Sequence, residues 1–154
     1  MSDPLGLAGF FVANLVTAGS GAIFTPGAWY EGLRKPRWRP PNWLFAPAWA
    51  VLFCMIAASG WLVWRQVGFG LPIAVYALNL ALNAAWSALF FGLRRPDLAL
   101  YDLVAMWLTI VACIVLFAPV SAVAAWLLVP YLAWTTFAGA LNATMWRLNG
   151  ARPA

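Results

Sequence analysis

The chain has 154 residues, of which 65% are hydrophobic and 8% charged, with a mean hydropathy of +0.84 and a net charge of +5. No soluble core of that length hides so much apolar surface, so the solvent around it is lipid. Histidine is absent, which removes the commonest metal ligand, the usual general base and the usual haem axial ligand together.

A bilayer core of about 30 Å takes roughly 20 helical residues to cross, and five low-charge stretches are long enough: 5–24, 43–64, 71–93, 98–118 and 122–148. The chain shows no alternation of apolar and polar residues, as a β-barrel would need, and no internal repeat. The predicted fold class is therefore an all-α integral membrane protein, a five-transmembrane-helix bundle forming one domain over residues 1–154. The N-terminus carries Asp3 and no basic residue, unlike a secretory signal, so the first span is expected to be retained. Within that span Gly19, Ser20, Gly21 and Ala22 form a small-residue patch, suited either to close helix packing or to lining a pocket.

The loop 25–42 that follows, TPGAWYEGLRKPRWRPPN, holds four of the nine basic residues (Arg34, Lys35, Arg37, Arg39), two tryptophans (Trp29, Trp38) and four prolines. Aromatic faces beside cations suit a flat, anionic, aromatic ligand, because rings stack while guanidinium and ammonium groups pair with carboxylates. The prolines stiffen this lid. In the second span Pro47 predicts a kink, and Cys54, like Cys113 in the fourth, reads as a small buried hydrophobe. The third span collects Tyr76, Asn79, Asn83, Trp86 and Phe90 on one face at about 100° per residue. Two carboxamides one turn apart are costly against lipid, so they either line a site or are satisfied by neighbouring helices. The opposite face is alanine: Ala74, Ala77, Ala81, Ala84, Ala85 and Ala88. With Asn79 and Asn83 turned inward, Ala77, Ala81, Ala85 and Ala88 point outward as the expected interface of a homodimer.

Asp97 falls in the third loop, and Asp102 about one turn into the fourth span. An acid at that depth needs a partner, so Asp102 is expected to meet Arg147 or Arg94 in a structural role. In the fifth span Tyr131, Trp134, Ala138, Leu141 and Asn142 share a face below a kink at Pro130, fitting either plain packing or a site. Trp43, Trp61, Trp64, Trp126 and Trp146 lie near span ends, as an interfacial belt requires; Trp49, Trp86, Trp107 and Trp134 are deeper. Eight of the nine basic residues gather on one side, in the first loop, at Arg94 and Arg95 and at Arg147 and Arg152, with Arg65 alone opposite. That asymmetry predicts the N-terminus outside and the C-terminus cytoplasmic. The positive charge thus reflects topology and anionic lipid headgroups, and nucleic acid is not expected as a partner. Without a histidine, a neighbouring carboxylate pair, a CxxC or a phosphate loop, the sequence offers no metal site and no ordinary hydrolytic or phosphoryl-transfer chemistry.

Trp29-Tyr30, Lys35-Pro36, Trp38, Pro40-Pro41, Trp43 and Pro47-Ala48-Trp49, with the blocks LNLALNAAWSALFFG and VPYLAWTTFAGALNATMWRLN, resemble the signature of the TspO/translocator protein family. The resemblance spans nearly the whole chain and implies a TspO-like bundle, usually dimeric, that binds porphyrins such as protoporphyrin IX and synthetic isoquinoline carboxamides or benzodiazepines beneath the first loop. By motif position it implies pocket residues at Ala22, Trp29, Tyr30, Trp38, Pro40, Trp49, Phe53, Asn79, Asn83, Trp134 and Ala138; the lid cations Arg37 and Arg39 are added from the residue reading. It further implies that Trp49 and Asn83 hold a synthetic ligand's amide, that Ala138 matches a position where a threonine alters ligand binding, and that Trp29 and Trp134 match tryptophans implicated in light-dependent porphyrin breakdown. Ala143 stands where the animal proteins' cholesterol-associated pattern needs a tyrosine, so sterol transport is not carried over. No cofactor is obligatory, and porphyrin is expected as a ligand, free base over haem. Three readings follow: a tetrapyrrole binder for transport, buffering or stress sensing; a light-dependent porphyrin-degrading enzyme; or a regulator acting through a partner protein.

Overall fold

A computed structural model describes residues 4–24 and 26–150; Asp3, Thr25 and Arg152 lie outside the described residues. Helix α1 (Pro4–Ile23) leads through the first loop, with its short α2 (Ala28–Glu31), to α3 (Asn42–Val67). Next come α4 (Leu71–Ser87), continued as a π-helical turn over Ala88–Gly92, and α5 (Pro96–Phe117). The last span is split into α6 (Ala122–Leu127) and α7 (Val129–Asn149). Five helical stretches are long and apolar enough to cross a membrane, and the described residues include no strand.

Prolines and caps set the boundaries. Pro72, Pro96 and Pro130 sit in the first turns of α4, α5 and α7, where a missing N–H costs nothing. Ser121 caps α6 by accepting from the Ala124 N–H at 3.2 Å. Gly68 ends α3 with φ +68°, a conformation that favours glycine. The break expected at Pro130 is therefore real, and it falls at Leu128, between α6 and α7. Pro47 lies inside α3 without dividing it.

The helix faces divide as lipid demands. Leu15, Val16, Val51, Leu108 and Val115 are exposed to the hydrocarbon, whereas Leu52, Ile56, Ile110, Phe117 and Tyr131 are buried between helices. A close crossing joins α1, α3 and α4 at Gly60, where an added Cβ would lie 2.6 Å from Tyr76 Cζ and 2.9 Å from Phe10 Cδ1. At the same level Asn14 Nδ2 donates to Tyr76 Oη (2.8 Å), which donates to the Ile56 carbonyl (2.9 Å). A second core lies under the first loop, built on Tyr30, Leu33, Phe90, Leu141 and Met145. Cys113 is buried, but Cys54 is exposed on α3, a correction: a small apolar side chain is at home against lipid as well as inside.

Two acids depart from expectation. Asp97 belongs to the first turn of α5, not to the loop, and Arg95 grips it with two hydrogen bonds of 2.9 and 2.6 Å. A carboxylate there also meets the positive end of the helix dipole. Asp102 makes no ion pair with Arg147 or Arg94; among the described residues the only salt bridge is Arg95–Asp97, and Asp102 Oδ2 is buried without a partner. Arg95, two residues from Asp97, is spent on it. Neutralising Asp102 thus relieves a desolvated group instead of breaking a pair.

Candidate functional site

A cavity of about 590 Å³ opens between α1, α3, α4, α5 and α7 under the first loop. Its size lies within the roughly 300–1,000 Å³ usual for small-molecule sites. The first helix contributes its small residues Ser20, Gly21 and Ala22; α3 contributes Phe45, Trp49 and Phe53; the loop closes it with Pro26 and Tyr30. From α4 come Asn83, Trp86, Phe90 and Phe91, from α5 Leu103 and Met106, and from α7 Trp134, Thr135, Ala138, Leu141 and Asn142. The wider π turn at Ala88–Gly92 puts the adjacent Phe90 and Phe91 both on the cavity wall, a local irregularity of the sort found at functional sites.

The rings hold one another in edge-on and stacked contacts. Trp49 meets Trp134 at 6.4 Å and Tyr131 at 6.2 Å, Phe45 meets Trp134 at 5.7 Å, and Trp86 stacks on Phe90 at 5.1 Å. Such contacts fix ring planes and leave flat apolar walls. Most polar groups near the cavity are already committed. Tyr131 Oη donates to Asn79 Oδ1 (3.0 Å) and accepts from Asn83 Nδ2 (2.8 Å). Asn79 Nδ2 reaches Thr109 Oγ1 at 2.9 Å. Trp86 Nε1 donates to Asn142 Oδ1 (3.0 Å), and Asn142 Nδ2 donates to the Pro96 carbonyl (2.9 Å). Ser20 Oγ donates across to the Ala84 carbonyl at 2.6 Å. Trp107, among the deep tryptophans, bonds Thr136 Oγ1 away from the cavity.

The family model for the TspO/MBR family matches residues 8–147. The chain belongs to the TspO/MBR family. It is 42% identical over 150 residues to "Protein CrtK" of Rhodobacter capsulatus, covering 94% of this chain and 93% of that one. It is 39% identical over 144 residues to the "Tryptophan-rich sensory protein" of Cereibacter sphaeroides, covering 94% and 91%. The human "Translocator protein" is 39% identical over 149 residues, covering 92% and 88%.

Of the ligand-binding positions nominated from sequence, Ala22, Tyr30, Trp49, Phe53, Asn83, Trp134 and Ala138 line the cavity. Trp29, Arg37, Trp38, Arg39, Pro40 and Asn79 do not, each for a visible reason where its contacts are specified. Asn79 is consumed by Tyr131 and by α5, so of the two carboxamides only Asn83 reaches the wall. The Trp29 ring packs edge-on against Phe90 (5.8 Å), one layer behind the wall. Trp38 meets Phe137 of α7 edge-on (5.7 Å); Phe137 and Trp134 form the α7 side of an outer groove whose other wall is α3. Arg39 Nη1 donates to Asn42 Oδ1, and Asn42 is a cavity residue, so Arg39 sits at the rim. Arg37 is exposed. Lys35 turns back to the carbonyls of Glu31 and Leu33 and over the Tyr30 ring (4.7 Å); burial pushes its ammonium below its ordinary pKa while Glu31 pulls the other way. Lys35 therefore braces the loop.

Thr135 went unread in the sequence, although Tyr131, Thr135, Ala138 and Asn142 follow the four-three-four spacing of one helix face. A second threonine beside it, Thr136, hid which of the two turned inward. The outward alanines are mixed: Ala77 and Ala81 are exposed, Ala85 and Ala88 half-buried, and the Ala84 carbonyl receives Ser20 of α1.

The loop is latched at its centre. The Arg34 N–H donates to Asn149 Oδ1 and Asn149 Nδ2 donates to the Arg34 carbonyl, both at 2.8 Å, so one side chain at the end of α7 pairs a loop residue as a neighbouring strand would. Asn149→Ala removes both bonds, each worth about 1 kcal/mol. Hydrogen exchange at the Arg34 amide should accelerate roughly ten-fold or more; unchanged exchange would show that other contacts hold the loop.

Proposed function

We propose that the cavity binds a flat, anionic, aromatic ligand of the porphyrin class, protoporphyrin IX in the first instance, and that the protein serves tetrapyrrole transport, buffering or stress sensing. The carrying observation is the wall of fixed aromatic rings, Trp49, Trp134, Trp86 and Phe90, beneath a loop that brings Arg39 to the rim through Asn42. Rings stack on the macrocycle, and the rim cation meets its carboxylates. Neutral isoquinoline carboxamides would use the same walls without that charge. The names of the relatives, translocator and sensory protein, fit carriage or sensing. In this reading the termini lie outside (N) and in the cytoplasm (C), which puts the loop on the cytoplasmic side.

Titration of purified protein with protoporphyrin IX and with a neutral isoquinoline carboxamide tests the reading. Arg39→Gln should weaken porphyrin binding roughly three- to ten-fold, the effect of a partly wet charge-assisted bond, and leave the neutral ligand nearly unchanged. Arg37→Gln, on the exposed side, should do less. Equal losses for both ligands would mean that the arginines only shape the loop.

The exposed Ala77 and Ala81 fit a second copy of the chain, since small side chains let helix backbones approach closely in lipid. Ala81→Leu should then shift the detergent-solubilised protein from dimer to monomer in light scattering, with cavity binding retained. An unchanged dimer would place the interface elsewhere.

A further inference from the structure

Threonine in a membrane helix ordinarily returns its hydroxyl to the carbonyl one turn back, because hydrocarbon supplies no water. Four described threonines do so: Thr17 to Ala13, Thr109 to Met106, Thr136 to Leu132 and Thr144 to Ala140, at 2.7–3.0 Å. Thr135 is the fifth and differs. Its residue is fully buried, its Oγ1 has no hydrogen-bond partner, and it lines the cavity. Asn14 Oδ1, Trp29 Nε1 and Asp102 Oδ2 are also buried and unpartnered, but none of those residues lines the cavity.

We infer that Thr135 is a ligand-reading residue: its hydroxyl donates to an acceptor atom, a carbonyl oxygen or an aromatic ring nitrogen, on a flat ligand held in the cavity. The inference rests on the cavity being the binding site. Valine would fill the same volume without a hydroxyl to satisfy, so packing alone gives no reason for threonine here. Asn83 Nδ2 is committed to Tyr131 and Trp86 Nε1 to Asn142, whereas the buried Thr135 hydroxyl is matched by no described group. Its place is deep. Asn149 holds the loop end of α7, and fourteen positions separate it from Thr135, about 21 Å at 1.5 Å per residue. The loop end of α7 and this hydroxyl therefore lie at different levels of the bundle. Oγ1 is covered in the present rotamer; threonine in a helix divides between two χ1 rotamers, and a turn about χ1 re-aims the hydroxyl when a ligand fills the cavity, without moving the backbone.

The test uses full-length protein, protoporphyrin IX, a neutral isoquinoline carboxamide, and two analogues of the latter, one with the carbonyl reduced to methylene and one with the ring nitrogen replaced by CH. Thr135→Val should weaken carboxamide binding about five- to ten-fold, the size of one sheltered hydrogen bond, while Thr135→Ser stays within about two-fold of wild type. One of the two analogues should bind wild type and Thr135→Val alike. Without ligand, Thr135→Val should melt at the wild-type temperature or above it, because an unpaired hydroxyl has been removed; a merely structural role would lower it. Thr135→Ser and Thr135→Ala form a second pair that differs by the hydroxyl and must separate in the same direction. Equal binding by wild type and Thr135→Val, or the same loss for all three isoquinolines, would overturn the inference. Failure of wild type to bind either the porphyrin or the carboxamide would instead overturn the proposed function.

Discussion

In hydrocarbon a buried side-chain amide or phenol has no water to fall back on, and each must be matched by another protein group. The hydrogen-bonded set Asn79–Tyr131–Asn83 is this protein's answer to that constraint. Tyr131, fully buried on α7, bridges two carboxamides of α4, and Asn79 passes the connection to Thr109 on α5. Nearer the loop, Trp86 and Asn142 tie α4 to α7, and Asn142 ties both to the first turn of α5. Three helices are thereby fixed in register at two levels, and the space beside them becomes a cavity of defined shape.

The same constraint explains why the cavity is so apolar in a protein rich in polar inward positions. The side-chain amides of Asn79, Asn83 and Asn142 hold the frame, so aromatic rings are left to make most of the walls. Charge is confined to the first loop, where Asn42 connects Arg39 to the rim and Asn149 fastens the loop by its Arg34 backbone. An apolar, ring-lined interior under a basic cover separates stacking from charge pairing in space. The unmatched hydroxyl of Thr135 is the exception inside that interior, which is why it is informative.

Much of the frame was legible in the sequence because lipid leaves few options. Five runs of apolar residues gave the spans to within a few residues, and the Tyr76–Phe90 periodicity gave the inward face of α4. Positions that depend on pairing were less legible. Spacing could not say which of Asn79 and Asn83 would also be held by α5, because that depends on which helix lies alongside. The two acids were hard to place for the same reason: Arg95, two residues away, takes Asp97 into the first turn of α5, and neither Arg94 nor Arg147 pairs with Asp102. The loop tryptophans carry the strongest motif yet stand behind or beside the wall, since Phe90 and Phe137 intervene.

Tyr131→Phe tests the central claim most directly, because it removes one oxygen and alters neither ring packing nor volume. Asn79 Oδ1 would lose its donor and Asn83 Nδ2 its acceptor. At about 0.6–1.7 kcal/mol for an interhelical hydrogen bond in a membrane protein, thermal or denaturant unfolding in detergent should show a loss of about 1–3 kcal/mol with helical content unchanged. Stability equal to wild type would contradict the account, because the bundle and its cavity would then be held by apolar packing alone.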